Sequence, residues 1–578
     1  MRIALINTPA NKYVPSYIVP TGVLQIAAWL EKHGHEVRVI DVAHRRQPIE
    51  EVIKETGEFA PSLVGISALV TAYKYVIDLS AALRKVFPTL PQILGGQVTV
   101  NNLLNCFGHM SIDYAVTGYG EFPMEKLTRV ISGNLPINFV PGLSYVRGDV
   151  IVTNPGQEYF NKLDDMPLPA YHLVDMDYYA TALGKNAALQ RYLSRTGKTI
   201  KNNRFISVMG TLGCTDRCSF CIHEQEFVGL KVFSNDYLRD HLRFLNSKYG
   251  MDVFGLGEEM FITTQTRAQK FNAMMKEQFP DCYWYASTRA NHVTPQLVEE
   301  LITGNCYRLV YGIESGSQKM LDLMKKRITR EQNITAFKTV AESPLIPGGC
   351  LMVGNVGETF DTVKETLSFI REVRLPGYGA YYASAFPGGR TWDWAIERGI
   401  IQDSHEYLVR AQETNHPKHI NSNLTPFPDW VLKAWNALIA WEQTAVDAKY
   451  KMEWGNFRYM NRLQRLKSLL APWLGLRKLP VPMPMPVVRL ALEVYFFYYG
   501  ISRKFFKTVR DKQCEYVVDQ DGSLLPESLI VGKPQRSKTD EELAVLACQP
   551  SIIRPLVRFS KDLHQSVQAQ SAGGTEHQ

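Results

Sequence analysis

Residues 213–221 read Gly-Cys-Thr-Asp-Arg-Cys-Ser-Phe-Cys, the most chemically specific stretch of the chain. The spacing Cys-x3-Cys-x2-Cys puts the thiols of Cys214, Cys218 and Cys221 on one short loop, and thiolates are the usual ligands of a [4Fe–4S] cluster. The loop has no fourth cysteine, so one iron would be open to a cofactor or substrate, which favours catalysis over electron storage. A zinc site is the alternative, because zinc usually takes four ligands and His223 follows closely.

The composition is typical of a globular enzyme. The chain has 578 residues, 45% of them hydrophobic and 21% charged, which predicts two to four domains. The cysteines outside the loop form no disulfide-like framework, which favours a reducing cytoplasm; they are Cys106, Cys282, Cys306, Cys350, Cys514 and Cys548. The first residues lack the apolar region of a signal peptide, and no stretch reaches the ~18 apolar residues of a membrane span. We therefore expect a cytoplasmic protein.

Residues 1–140 alternate strand and helix patterns, which predicts a Rossmann-like, doubly wound parallel sheet. Ligands of such sheets bind beyond the carboxyl ends of the strands. Small residues and glycines stand at those ends, where they would allow close approach of a bulky ligand. The candidate binding residues are Pro9, Ser67, Gly95, Gly96, Gly118, Gly120 and Glu121.

After a predicted linker over residues 141–204, strand and helix patterns alternate again over residues 205–404. Several short sequence motifs stand at the ends of these strands: the turn Gly257-Glu258-Glu259, an arginine at 289, Gly-x-Glu-Ser-Gly at 312–316, and a glycine turn at 354–359. Together with the cysteine loop, their order and spacing resemble the radical S-adenosylmethionine (radical SAM) enzymes. That resemblance implies a partial (β/α)6 barrel with the cluster at its mouth.

The resemblance also assigns roles to individual residues. It implies that the three cysteines of the loop ligate the cluster. It implies that SAM contacts Phe220, Gly257, Glu258, Glu259, Arg289, Glu314 and Gly354. Carboxylates suit the methionyl ammonium and ribose hydroxyls, and a guanidinium suits the methionyl carboxylate.

The N-terminal segment resembles the cobalamin-binding domain that precedes many radical SAM enzymes. Pro20-x-Gly22-Val23, Gly95-Gly96 and Gly118-Tyr119-Gly120-Glu121 carry this resemblance. Such domains often supply a histidine to cobalamin through Asp-x-His-x-x-Gly, but this chain has Asp41-Val42-Ala43-His44. His44 is therefore not expected to be the lower axial ligand.

Most enzymes that combine these two domains are methyltransferases. The resemblance thus implies a [4Fe–4S] cluster, SAM and cobalamin as cofactors, and methyl transfer from SAM through methylcobalamin to an unactivated carbon of a small, lipophilic or anionic substrate. It also implies an electron donor such as flavodoxin or ferredoxin. Two alternatives stay open: a cyclase or rearrangement enzyme with the same cofactors, and a non-catalytic cobalamin or cluster sensor. The sequence identifies no catalytic acid or base.

Residues 405–560 show a helical pattern rich in aromatic residues. Between Lys449 and Lys512, fourteen Lys and Arg residues stand against three acidic ones. Basic and aromatic residues on helices predict peripheral contact with an anionic membrane, while the alternative is a helical cap over the barrel mouth. No nucleic-acid-binding module accompanies the charge. Residues 561–578 read as a disordered tail.

Overall fold

The N-terminal sheet contains strands that are apolar on both faces. The computed structural model describes residues 1–10, 16–183, 186–222, 229–257, 260–376, 379–414, 419–453, 516–518 and 524–526. The strands of this sheet are β1 Arg2–Asn7, β2 Glu36–Asp41, β3 Leu63–Ser67, β4 Gln92–Gly95, β5 Tyr114–Val116, β6 Leu143–Arg147 and β7 Val150–Thr153. Their order is β2-β1-β3-β4-β5-β6-β7, and β1 to β5 run parallel.

Helices cover both faces of this sheet. They are α1 Thr21–Lys32, α2 Val42–Arg45, α3 Ile49–Phe59, α4 Tyr73–Val86, α5 Leu103–His109 and α6 Glu121–Ile131. Strand β1 shows the arrangement: Ile3 and Leu5 join the apolar cluster under α1 and α6, whereas Ala4 and Ile6 join the cluster under α3 and α4. Since adjacent residues of a strand point to opposite faces, the domain is doubly wound, as predicted.

The sheet continues beyond residue 140, where the sequence predicted a linker. Strands β6 and β7 form an antiparallel hairpin, and β6 pairs antiparallel with β5. The chain reverses at Gly148, whose φ of +59° suits glycine in a tight turn. Two helices follow, α7 Met176–Thr181 and α8 Ala187–Thr196. The segment 141–204 is therefore largely structured, and its first part extends the N-terminal domain.

The central region forms the predicted partial barrel of six parallel strands. They are β8 Phe205–Ser207, β11 Val253–Leu256, β12 Tyr283–Ser287, β13 Cys306–Glu314, β14 Ile346–Val353 and β15 Tyr381–Tyr382. Their order is β15-β14-β13-β12-β11-β8. A short antiparallel pair, β9 Thr211–Leu212 and β10 Lys231–Val232, flanks the cysteine loop. The outer helices are α9 Asn235–Tyr249, α10 Gln265–Gln278, α11 Pro295–Thr303, α12 Gln318–Leu323, α13 Arg330–Ala341 and α14 Phe360–Val373.

Three helices complete the described C-terminal part: α15 Arg390–Glu397, α16 Ser404–Thr414 and α17 Asp429–Glu453. Helix α16 packs on α4, where the hydroxyl of Tyr73 lies 2.9 Å from Nδ1 of His405. Helix α17 packs on α14, and the ring of Trp435 lies 5.3 Å from that of Phe360.

The structure adds one feature to the predicted helical region and leaves other predictions untouched. Strands β16 Tyr516–Val518 and β17 Leu524–Pro526 pair antiparallel, which a purely helical pattern does not include. Residues 454–515, the core of the predicted membrane-contact segment, and the predicted disordered tail at 561–578 lie outside the described residues. Among the helices that are described, none has the length and apolar character needed to cross a membrane.

Candidate active site

The cysteine loop lies at the barrel mouth and is held by its own backbone. The N–H of Ser219 donates to the carbonyl oxygen of Met324 at 3.0 Å, and the carbonyl oxygen of Ser219 accepts from the N–H of Thr391 at 3.1 Å. The loop is thus tied on one side to the segment after β13 and on the other to the start of α15. Within it, the N–H of Cys221 donates to the carbonyl oxygen of Cys218 at 3.0 Å.

The three cysteines of the loop differ in exposure. Cys218 is buried, Cys214 and Cys221 are partly exposed, and none of them is in a disulfide. In the described part of the chain, no three His, Cys, Asp or Glu side chains converge on one point. In a cubane cluster each thiolate binds a different iron, so the sulfur atoms need not converge. His223 lies outside the described residues.

Two buried ion pairs surround the loop. Arg289 follows β12, and its guanidinium pairs with the carboxylate of Asp216 inside the cysteine loop; the two side chains are 13% and 10% exposed. Arg289 also donates to the carbonyl oxygens of Lys326 and Arg327. Glu314 ends β13 and accepts from Nζ of Lys326 at 3.0 Å. Both pairs are largely removed from water, where losing one partner would leave an uncompensated charge.

Lys326, a member of the second ion pair, also lies close to the cysteine loop. Its Nζ lies 6.0 Å from the centre of the Phe220 ring. Burial lowers the pKa of Lys326, but the nearby carboxylate of Glu314 and the thiol of Cys218 raise it, and the net direction is upward. Burial raises the pKa of the Cys218 thiol, while Lys326 acts in the opposite direction. The net direction for the pKa of Cys218 is upward, because burial outweighs the effect of the nearby charge of Lys326.

Three of the predicted SAM residues lie together around the cysteine loop, and others lie elsewhere. Phe220, Arg289 and Glu314 lie around the cysteine loop. At Gly257 an added Cβ would lie 2.6 Å from the ring of Tyr285, so this glycine gives room to an inward-facing aromatic ring. Gly354 is buried beneath Leu432 of α17, with a φ of +83°, so it serves the packing of the turn. Glu258 and Glu259 lie outside the described residues, and their role stays a prediction.

A second candidate site is a cleft in the N-terminal domain. Five of the predicted residues, Ser67, Gly95, Gly96, Gly118 and Gly120, line it together with apolar side chains from β1, β4 and α1. A Cβ added to Gly95 would meet no atom within 4 Å, so a side chain there would fill the open cleft. The cleft has a volume of about 60 Å³ and lies at the carboxyl ends of parallel strands, where the ligands of such sheets bind.

The other predicted cobalamin residues are not in the cleft lining. Pro9 is buried beyond the end of β1. Glu121 begins α6 and is also buried; its Oε2 has no hydrogen-bond partner, and burial raises the pKa of its carboxyl to about 7. The ring of His44 stacks on Tyr178 at 3.6 Å, and His44 is not among the residues that line the cleft.

The N-terminal domain and the cysteine loop approach each other at Gly388. A Cβ added to Gly388 would lie 2.7 Å from Cγ1 of Val100 and 3.6 Å from the carbonyl oxygen of Ile222. Val100 follows β4 in the N-terminal domain, and Ile222 directly follows the last cysteine of the loop. The absence of a side chain at position 388 therefore lets the N-terminal domain approach the cluster loop closely.

Sequence reasoning missed two charged residues of this site. Asp216 lies inside the quoted loop, but its partner Arg289 is far along the chain. Lys326 stands in a run of three basic residues, Lys325 to Arg327, which resembles an exposed surface turn. The positive φ values of Lys325 and Arg327, +52° and +50°, show a tightly bent backbone that no local pattern predicts.

Comparison with known proteins defines the class to which this fold and site belong. The B12 binding domain family matches residues 8–128, and the radical SAM superfamily matches residues 208–370. The chain is therefore a radical SAM enzyme with an N-terminal B12-binding domain.

Individual relatives align with about 70% of this chain. An uncharacterized methyltransferase of Pyrococcus horikoshii is 25% identical over 406 residues, covering 69% of this chain and 84% of the relative. The cytidylyl-2-hydroxyethylphosphonate methyltransferase of Streptomyces wedmorensis is 23% identical, covering 71% of this chain and 84% of the relative. The radical SAM methyltransferase TsrM from Kitasatospora setae, solved with cobalamin and a [4Fe–4S] cluster, aligns with a TM-score of 0.54 at 18% identity, covering 69% of this chain and 78% of TsrM. At that identity, the structural likeness shows a shared fold.

Proposed function

We propose that this chain is a cobalamin-dependent radical SAM methyltransferase, which moves a methyl group from SAM through cobalamin to an unactivated carbon of a small molecule. The observation that carries the proposal is the contact at Gly388, because it joins the B12-binding domain to the cluster loop. A methyl carrier and a radical generator must both reach one substrate carbon, and this contact brings the two domains together.

The residues of the barrel mouth would position the cofactors. Cys214, Cys218 and Cys221 would ligate the cluster, and Phe220 would border SAM. Asp216 and Arg289 fix the loop against the segment after β13, and Arg289 holds its guanidinium close to the cysteine loop. Glu314 and Lys326 place one acceptor and one cation at the mouth, suited to the hydroxyls and carboxylate of SAM.

In the N-terminal domain, Ser67 and the glycines at 95, 96, 118 and 120 would accept the cobalamin tail by shape alone. When bound, the cluster and SAM supply a carbon-centred radical, and cobalamin supplies the methyl carrier. The protein contributes alignment and the exclusion of water. An external one-electron donor, of the flavodoxin or ferredoxin kind, belongs to the proposal. Peripheral membrane contact by residues 449–512 stays a prediction from sequence.

The experiment follows the methyl group. The protein is reconstituted anaerobically with iron, sulfide and cobalamin, reduced, and given SAM labelled in its methyl group together with extract from a strain that lacks the gene. We expect label on the bound cobalamin, S-adenosylhomocysteine in solution, and label in one small molecule of the extract.

Other outcomes would contradict the proposal. Formation of 5′-deoxyadenosine with no S-adenosylhomocysteine and no labelled product would favour a cyclase or rearrangement enzyme. Cofactor binding without either product, with any electron donor, would favour a sensor.

A further inference from the structure

A cavity lies along the first residues of strands β13 and β14, where α8 packs against them. It has a volume of about 500 Å³, in the range of small-molecule sites. It is lined by residues of β13 and β14, by α8, and by Pro376 and residues 379–381. Two arginines, Arg191 and Arg308, line this cavity, and none of its described lining residues is acidic. The described lining residues therefore carry two positive charges and no negative one.

Arg308 has no partner of its own in this cavity. Its Nε is buried without a hydrogen bond, and no ion pair to Arg308 occurs in the described part of the chain. The guanidinium lies across Gly348 of the neighbouring strand, where an added Cβ would come within 2.7 Å of Nε. Arg308 is half-buried, and a buried Nε–H without an acceptor costs free energy unless something else supplies one.

Two further donors face the same space. Arg191 reaches the cavity from α8, and Gln443 reaches it from α17. The side-chain oxygen of Gln443 accepts from the N–H of Gly379 at 2.7 Å, which leaves its amide nitrogen as the donor toward the cavity. Donors converging from three elements form the kind of site that binds a carboxylate or a phosphoryl group.

The cavity is continuous with the inner face that carries the candidate SAM residues. Gly312 lies four residues beyond Arg308 on β13, hence on the same face, about 13 Å away. A Cβ at Gly312 would collide with the Glu314–Lys326 pair, and Gly312 pairs in register with Cys350, another lining residue. A molecule anchored at Arg308 could therefore extend upward to the barrel mouth.

We propose that Arg308, with Arg191 and Gln443, binds an anionic group of the substrate, a carboxylate or a phosphoryl oxyanion, and thereby sets which carbon faces the barrel mouth. That the bound anion belongs to the substrate rests on the proposed function, whereas anion binding at this site is testable without turnover.

The probe is inorganic phosphate, and the reporter is Cys350, whose thiol is exposed. The reconstituted full-length enzyme is alkylated anaerobically with N-ethylmaleimide, and modification of the Cys350 peptide is followed by mass spectrometry. We expect phosphate to slow this alkylation at least fivefold and saturably, and chloride at equal ionic strength to leave it unchanged. Acetate in a parallel titration tells whether a carboxylate or a phosphoryl group is preferred.

The variants are Arg308→Gln and, as a matched control on the outer helix α9, Arg243→Gln. We expect protection to fall below twofold in Arg308→Gln and to persist in Arg243→Gln. Line broadening of the phosphate signal in phosphorus NMR gives a second readout that needs no reaction at Cys350. Equal phosphate binding in all three proteins, or none in the wild type, would overturn the anion site.

SAM cleavage by the wild type is measured in the same preparation, which separates the two proposals. Loss of SAM cleavage with intact phosphate protection would contradict the proposed function and leave the anion site standing. SAM cleavage without phosphate binding would do the opposite.

Discussion

The barrel mouth and the cleft of the N-terminal domain prepare for their cofactors in different ways. At the mouth, charge is abundant and paired: Asp216 meets Arg289, and Glu314 meets Lys326. In the cleft, glycines and apolar side chains leave an open shape, and the nearby buried carboxylate of Glu121 has an oxygen with no partner. One site therefore suits coordination and charged groups, whereas the other suits a bulky ligand held by its shape.

We expect the largest effect from the loss of a predicted cluster ligand at the barrel mouth. Cys218→Ala removes a buried ligand that no described side chain replaces, so the visible absorption of the cluster and SAM cleavage should both disappear. Cys282→Ala, a buried cysteine elsewhere in the barrel, is the matched control and should retain the absorption. Iron content and the visible spectrum after anaerobic reconstitution measure the result; an intact cluster in Cys218→Ala would refute the ligand assignment.

The next effect concerns the paired charges. Lys326→Met leaves Glu314 buried without its partner, and we expect a loss of about 3 kcal/mol in the free energy of unfolding. Adding Glu314→Gln should recover most of this loss, because both charges are then absent. Lys338→Met breaks a more exposed pair with Glu372, so it should cost less than about 1 kcal/mol. Urea unfolding of the four proteins supplies the comparison, and equal losses for the two lysine variants would show that burial of the pair does not matter.

The shape-based cleft is tested by filling it. Gly95→Leu should project into the open space and weaken cobalamin binding at least tenfold, which is about 1.4 kcal/mol. Its backbone needs no positive φ, so the variant should fold and keep the cluster. Gly108→Ala on α5 also meets no neighbour and should retain cobalamin. Retention is read from the visible spectrum after gel filtration, and full retention by Gly95→Leu would mean that cobalamin binds elsewhere.

The smallest effect concerns the unpartnered carboxyl. Burial raises the pKa of Glu121 to about 7, so the folded chain holds this proton more tightly than the unfolded chain, and stability falls as pH rises from about 4.5 through 7. Glu121→Gln should therefore stabilise the protein by about 1 kcal/mol at pH 8 and by much less at pH 5. The exposed residue Glu51, changed to Gln, is the control. A pH-independent difference would indicate that Glu121 is paired in solution.

Much of this architecture follows from sequence because it depends on local patterns. The parallel strands are short apolar runs that end in glycine or small residues, and the cysteine loop is contiguous. The hairpin at 143–153 was also readable: apolar and polar residues alternate around Gly148-Asp149, a two-residue turn signal that the interpretation as a linker passed over.

The rest depends on register between distant strands. Lys326 becomes part of the site only because Glu314 ends β13 with a φ of +59°, a left-handed conformation that is unusual for glutamate. Arg308 turns into the cavity at a register shift between β12 and β13. Neither position carries a sequence signal, because each is decided by the pairing of strands that are far apart in the chain.

The backbone hydrogen bonds of Ser219 bear on what happens to the cysteine loop when iron is lost. They hold the cysteine loop between two other segments without using a side chain or a cysteine sulfur. A zinc finger loses its fold along with its metal, whereas these two hydrogen bonds do not depend on a bound metal. We therefore expect that a protein which has lost its iron can be refilled with iron and sulfide without being unfolded.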